Sequence, residues 1–244
     1  VSEPTVNRFC RSLETRGFPD FKLHLAQSLA HGTLYVNRNV DEDDSVESYT
    51  GKIFESAMAS LDQVHHSLDM SAVNRAVDLL TQAKKIAFFG LGSSAAVAHD
   101  AMNKFFRFNV PVIYSDDIVL QRMSCMNCDD DDVVVIISHT GRTKSLVELA
   151  QLARENDAMV IALTSAGTPL AREATLAITL DVPEDTDIYM PMVSRLAQLT
   201  VIDVLATGFT LRRGAKFRDN LKRVKEALKE SRFDKEPFVP SDNQ

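Results

Sequence analysis

Two short segments hold the side chains best suited to chemistry. The first is Gly90-Leu91-Gly92-Ser93-Ser94, and the second is Ser138-His139-Thr140-Gly141-Arg142-Thr143. Glycine permits a tight turn and lets a ligand come close to the backbone N–H groups. The hydroxyls of Ser93, Ser94, Ser138, Thr140 and Thr143 add further donors. Each segment leads straight into an amphipathic stretch that reads as a helix. The free N–H groups of a helix start, at the positive end of its dipole, suit an anion and above all a phosphate. The candidate ligand-binding residues are therefore Gly92, Ser93, Ser94, Ser138, His139, Thr140, Gly141, Arg142 and Thr143. Arg142 either adds a cation to the site or is an exposed arginine at a helix start.

Both segments follow apolar runs. KKIAFFG, PVIYSDD, DDVVVIIS, AMVIALT and ATLAITL are five such runs, rich in Val, Ile or Phe, as strands buried on both faces should be. Helix-length segments at 94–108, 117–127 and 143–156 separate the first four. This alternation predicts an α/β fold, a three-layer, doubly wound parallel five-stranded sheet. With the flavodoxin-like strand order 2-1-3-4-5, strands one and three flank the switch point, where ligands bind beyond the carboxyl ends. Both hydroxyl-rich segments would then converge on one crevice. Further helices are expected over 194–209 and 216–231, the latter with Phe217, Leu221, Val224 and Leu228 on one stripe.

Other readings of the first segment exist. Gly90, Gly92 and Ala95 match a G-x-G-x-x-A dinucleotide fingerprint, with Asp116 and Asp117 near the place of a ribose-binding acid. That reading leaves the second segment without a task, and the chain shows no separate substrate domain. Small residues can also simply pack a helix against a strand, but two such loops at one switch point argue for a ligand.

The chain of 244 residues can bury a full core, and three cysteines make no disulfide scaffold. A reducing, cytoplasmic setting is expected, with no membrane span, no cofactor and no metal. The net charge of −7 is uneven: residues 1–40 carry five basic and three acidic residues, a net +2, which leaves −9 for the rest. A mildly basic head on an acidic body can meet a polyanion with the head alone. That head begins with Ser2, an N-cap type, and Pro4 in the first turn of a helix expected over 3–15. A second helix starts at Pro19. Residues 31–44 read as a linker, Ser45 caps a long helix to about Leu68, and Asp69 or Ser71 caps another to about Ala83.

GLGSSA followed by SHTGRT resembles the sugar isomerase (SIS) domain, which binds phosphosugars. VSEPTVNRF and GFPDFKLHLAQSL resemble the helix-turn-helix of the RpiR family of bacterial transcriptional regulators, and with HGTLYVNRNV and SRLAQLTVIDVL the likeness spans nearly the whole chain. It implies a partial helix-turn-helix domain at 1–30 lacking the family's first helices, a linker at 31–44, a SIS domain at 45–233 and a loose tail at 234–244. It implies that the first helix is the recognition helix, with Ser2, Thr5, Val6 and Arg8 near double-stranded operator DNA. It implies a repressor, acting as a homodimer or tetramer and released by a sugar phosphate. The likeness is to regulators of hexose and central carbon metabolism, which implies 2-keto-3-deoxy-6-phosphogluconate as the effector.

The SIS fold also serves aldose–ketose isomerases, so catalysis must be weighed. That chemistry needs a base, commonly Glu, with His assisting. His139 and His99 are near, but neither loop holds a Glu. Glu173 and Glu184 follow the fourth and fifth strands and could approach. Ser194 and Arg195 open a later helix that could close the crevice. Cys125 and Cys128 form a C-x-x-C without a second pair, a poor zinc site. His65 and His66 are adjacent on a helix and should point apart, which argues against a shared metal. Asp129 to Asp132 read as a solvated turn.

Overall fold

The structure is a computed structural model that describes residues 3–12, 15, 17–19, 21–22, 40–184 and 190–229. Ser2, most of the expected second helix and of the 31–44 linker, and the 234–244 tail lie outside the described residues. The chain divides into two compact units, Val1–Leu68 with Leu180–Gln198, and Asp69–Thr179 with Leu199–Gln244.

In the first unit α1 spans Glu3–Ser12, shorter than the 3–15 expected. The backbone N–H and the hydroxyl of Thr15 both donate to the Cys10 carbonyl, at 3.2 and 2.6 Å, and so close the helix end. Cys10 is buried, whereas Phe9 is exposed and sets its ring edge-on to Phe21. Helix α2 spans Val46–Ser67 and is capped by the Ser45 hydroxyl, as expected. Lys52 pairs with Asp41 and Asp44 at 3.0 and 2.7 Å, which fastens the acidic run to the helix. The Lys52 ammonium, with the Ser48 hydroxyl, holds the Asp44 carboxyl down at about 2.

The second unit opens with α3 (Met70–Gln82), capped by Asp69. The sheet follows: β1 (Lys85–Gly90), α4 (Ser93–Phe105), β2 (Val112–Ser115), α5 (Ile118–Met126), β3 (Asp132–Ile137), α6 (Lys144–Glu155), β4 (Met159–Thr164), α7 (Pro169–Glu173) and β5 (Leu176–Thr179). Every pairing is parallel, and the order is β2-β1-β3-β4-β5, the flavodoxin-like order on which the expected crevice rests. Adjacent strand residues point to opposite faces. The Phe88 ring meets Phe105 at 5.1 Å, and Phe105 meets Phe108 and Phe209. Phe89, on the other face, joins Cys125, Val134, Leu146, Leu149 and Leu170. Thus α4 covers one face of the sheet, and α5, α6 and α7 cover the other.

Two details differ from the sequence reading. Helix α7 was not expected; Thr168 caps it and Pro169 fits its first position, where a missing N–H costs nothing. The two expected final helices run together as α8, Val193–Lys229. Gly214 (φ 75°, ψ −163°) is the non-helical residue inside it, a backbone that the absence of a Cβ allows. The Arg213 guanidinium lies over the Phe209 and Phe217 rings at 5.1 and 6.0 Å and braces the kink. No described helix is long and apolar enough to cross a membrane.

Candidate effector site at the switch point

Gly90 and Ile137, the last residues of β1 and β3, are direct partners in register. The two hydroxyl-rich loops therefore start one strand spacing apart, about 4.8 Å. Helices α4 and α6 then leave toward opposite faces of the sheet. Such divergence is the switch-point geometry at which ligands bind in doubly wound sheets, and both loops stand at it.

The first loop is shaped by close backbone approach. A Cβ on Gly90 would lie 2.7 Å from the Ser94 carbonyl oxygen, so only glycine fits. Gly92 sits at φ 57° and forms the start of α4 with no side-chain cap. Ser94 is buried and Ser93 half-buried.

The second loop is shaped by side chains. Gly141 sits at φ 56°, and a Cβ there would lie 2.3 Å from Thr168 Oγ1 and 2.5 Å from Thr164 Oγ1. Its carbonyl accepts from Leu170 N–H at 3.1 Å, and the His139 carbonyl accepts from Ser165 N–H at 3.0 Å. The Arg142 N–H turns back toward Thr140 Oγ1 at 3.4 Å. Thr143 begins α6, again with no side-chain cap. Ser138 is buried, His139 and Thr140 are half-buried, and Arg142 and Thr143 are exposed. The hydroxyls of Ser94 and Ser138 make no hydrogen bond to another described residue. The crevice thus offers two open helix starts and several hydroxyls, a fit for a phosphate and its attached polyol.

Sequence reasoning missed three supporting residues. Thr164 and Thr168 wall in Gly141, and their spacing of four after a strand that neighbours β3 was the available signal. Gln121 is wholly buried, and its amide donates to the carbonyls of Gly90 and Ser115 at 3.3 and 2.7 Å, which ties the ends of β1 and β2 together. A groove of about 410 Å³ on α5 and α6, lined by Val119, Arg122, Met123, Met126, Asn127 and Leu152, is apolar and shares no residue with either loop.

Two acidic residues of the rival readings are committed elsewhere. The Glu184 carboxylate accepts from the N–H groups of Met192, Val193 and Ser194 at 2.7, 2.8 and 3.1 Å. Burial pushes its carboxyl up, but the Ser194 hydroxyl and the three N–H groups outweigh this and hold it below the usual value. Ser194 is buried by that arrangement, while Arg195 is exposed. Asp117 caps α5, with its carboxylate accepting from Val119 and Leu120 N–H. On α1, Thr5 and Arg8 are exposed on the side that carries Phe9, whereas Val6 is half-buried on the side of Cys10.

A doubly wound sheet with glycine-turned, hydroxyl-rich helix starts at its switch point is the arrangement of a sugar-isomerase-type domain. Family comparison finds this part and a second: the SIS domain matches residues 79–208, and the helix-turn-helix domain of the rpiR family matches residues 1–32. The chain is 91% identical, over its whole length and 84% of the relative's, to the HTH-type transcriptional regulator HexR of Escherichia coli K12. It is 58% identical to HexR of Pseudomonas aeruginosa, over 96% of the chain and 82% of that protein. The chain belongs to the HexR group of RpiR-family transcriptional regulators. Its fold is also that of the Vibrio vulnificus NanR protein complexed with ManNAc-6P, with a TM-score of 0.70 at 24% identity over 96% of this chain and 83% of the other.

Proposed function

We propose that the crevice between the Gly90–Ser94 and Ser138–Thr143 loops binds a phosphorylated sugar acid, 2-keto-3-deoxy-6-phosphogluconate, and that this binding controls operator recognition. The observation that carries the reading is the Gly90–Ile137 register, which sets two uncapped helix starts side by side. Their N–H groups and the Ser94, Ser138, Thr140 and Thr143 hydroxyls hold the phosphate, and Arg142 adds charge at the rim. The NanR complex with ManNAc-6P, a phosphosugar in a protein of the same fold, supports the ligand class. On the N-terminal head, Ser2, Thr5, Val6 and Arg8 lie at the operator DNA, with Thr5 and Arg8 on the exposed side of α1. The protein works in the cytoplasm as a homodimer or tetramer on a two-fold operator, because one helix-turn-helix reads one half-site. The effector releases DNA by binding the DNA-free state better than the bound one, with residues 31–44 passing on the change.

A sensor rather than an isomerase is supported by Glu184. A carboxylate held as a stable anion by three N–H groups is a poor proton acceptor. Asp117, spent on its helix cap, weakens the dinucleotide reading in the same way. The test is calorimetric titration with 2-keto-3-deoxy-6-phosphogluconate, glucose 6-phosphate and NAD, each mixture also assayed for turnover. Selective binding of the sugar acid without turnover is expected. Turnover would make this an isomerase, and binding of NAD alone would overturn the reading.

A further inference from the structure

The last turns of α2 gather three ligand-type side chains that take no part in the crevice. Asp62, His65 and His66 each offer one ligand atom, and these atoms all lie within 4.8 Å of one another. All three residues are exposed. Adjacent positions on a helix diverge by about 100°, and the sequence reading held these histidines apart on that ground. The structure turns the rings together instead, with centroids 5.2 Å apart and planes at 64°.

Asp62 supplies the reason. His66 Nδ1 lies 2.8 Å from the Asp62 backbone carbonyl and 3.4 Å from its carboxylate. A carbonyl only accepts, so in this geometry Nδ1 carries the hydrogen and donates it. In the neutral ring with this tautomer, Nε2 carries the lone pair. A ligating imidazole is oriented in just this manner, one nitrogen donating to a protein oxygen while the other faces the metal.

We propose that Asp62, His65 and His66 form an open site for a divalent transition-metal ion of the zinc type, with water completing the coordination. Tetrahedral ligands at about 2.0–2.2 Å from a metal sit roughly 3.4 Å from one another. Asp62 and His65 are exposed, and ordinary side-chain rotation can bring their ligand atoms to that spacing from His66 Nε2. Two nitrogens and one carboxylate favour Zn²⁺ or Co²⁺ over Ca²⁺ and Mg²⁺, which take oxygen donors. The site also has a structural consequence. Gln63, in the same turn, donates from Nε2 to the Asp181 carbonyl at 2.8 Å. A metal across residues 62, 65 and 66 stiffens the turn that holds this bond, and with it the segment leading to Glu184.

The experiment uses the untagged full chain, freed of metal by a chelator and titrated with Zn²⁺ by calorimetry and with Co²⁺ by absorption. Saturable binding is expected, with visible Co²⁺ bands and no near-ultraviolet thiolate band. His65→Ala and His66→Gln should each weaken Zn²⁺ by at least about tenfold, the size of loss seen when even an orienting partner of a ligand is removed. Cys125→Ser with Cys128→Ser should leave binding intact. Circular dichroism checks that each variant is folded. Unchanged affinity in both histidine variants, a thiolate band, or absence of saturable binding would each overturn the site.

Discussion

The described helices begin in two ways. Most are closed by their own chain: Ser45 caps α2, Asp69 caps α3, Asp117 caps α5, Thr168 caps α7, and Glu184 reaches across to the first turn of α8. Helices α4 and α6 are left open, and their starts follow neighbouring strands at the switch point. A good side-chain cap contributes about 1 kcal/mol. The fold forgoes that stabilisation at the two helix starts of the proposed site, where a bound anion would supply it. The closed starts hold the frame, and the open ones mark the proposed site.

The largest effect should come from Gly141→Ala. The new Cβ meets both Thr164 and Thr168, and φ is 56°. Clash and strain together should cost about 3 kcal/mol, and so lower Tm by roughly 6 to 12 °C for a chain of this size. Gly92→Ala has a similar φ but no atom within 4 Å of the added Cβ. It should cost less, about 1 to 2 kcal/mol of backbone strain without a clash. Thermal unfolding of the two variants side by side checks the claim that side chains shape one loop and backbone the other. Equal losses would erase that distinction.

Next in size are Ser94→Ala and Ser138→Ala. Each removes a hydroxyl that has no described protein partner and should weaken sugar-phosphate binding by about 1 to 3 kcal/mol, the worth of a hydrogen bond to a charged group. Calorimetry reads this directly, and unchanged affinity in both would put the crevice elsewhere. Stability should barely move, in contrast to Gly141→Ala.

Much of this was legible because it is local. The strands stand out as apolar runs since both their faces are buried, and Val133 to Ile137 is the plainest case. The loops stand out because glycine and hydroxyl residues follow those runs directly. Features that join distant residues were not legible. No pattern links Glu184 to the N–H groups of residues 192–194, and in sequence terms it stands as a candidate base. Thr164 and Thr168 gain their meaning only from the neighbouring strand, and Gln121 only from the ends of β1 and β2. Helix α7 is too short to show a period. The pairing of His65 with His66 depends on rotamers that no spacing rule fixes.

Glu184 offers a test of the closed class at a smaller scale. Its folded carboxyl lies below the ordinary value, so the stability it contributes is present above the unfolded value and is lost as pH falls through the folded one. Glu184→Gln should cost about 1 to 2 kcal/mol at neutral pH, because a charged cap becomes a neutral one. It should also flatten the decline of stability with acid. Denaturant unfolding between neutral pH and the carboxylate range measures both. A variant as stable as the parent at every pH would mean that the start of α8 does not need this cap.

The smallest effects bear most directly on the comparison. Asp117→Ala removes a carboxylate that accepts from two N–H groups of α5 at 2.8 and 3.0 Å, and should cost about 1 kcal/mol of stability. Thr143→Ala removes a side chain from the equivalent position of α6, where it caps nothing, and should cost close to none. Binding should respond the other way round. Asp117→Ala should leave the affinity for a sugar phosphate unchanged, while Thr143→Ala should reduce it, because its hydroxyl stands at the open helix start. One variant that moves stability alone and one that moves affinity alone would separate frame from site within a single sheet. If Thr143→Ala instead destabilised the fold as much as Asp117→Ala, the start of α6 would be closed like the others, and the open pair would reduce to α4 alone.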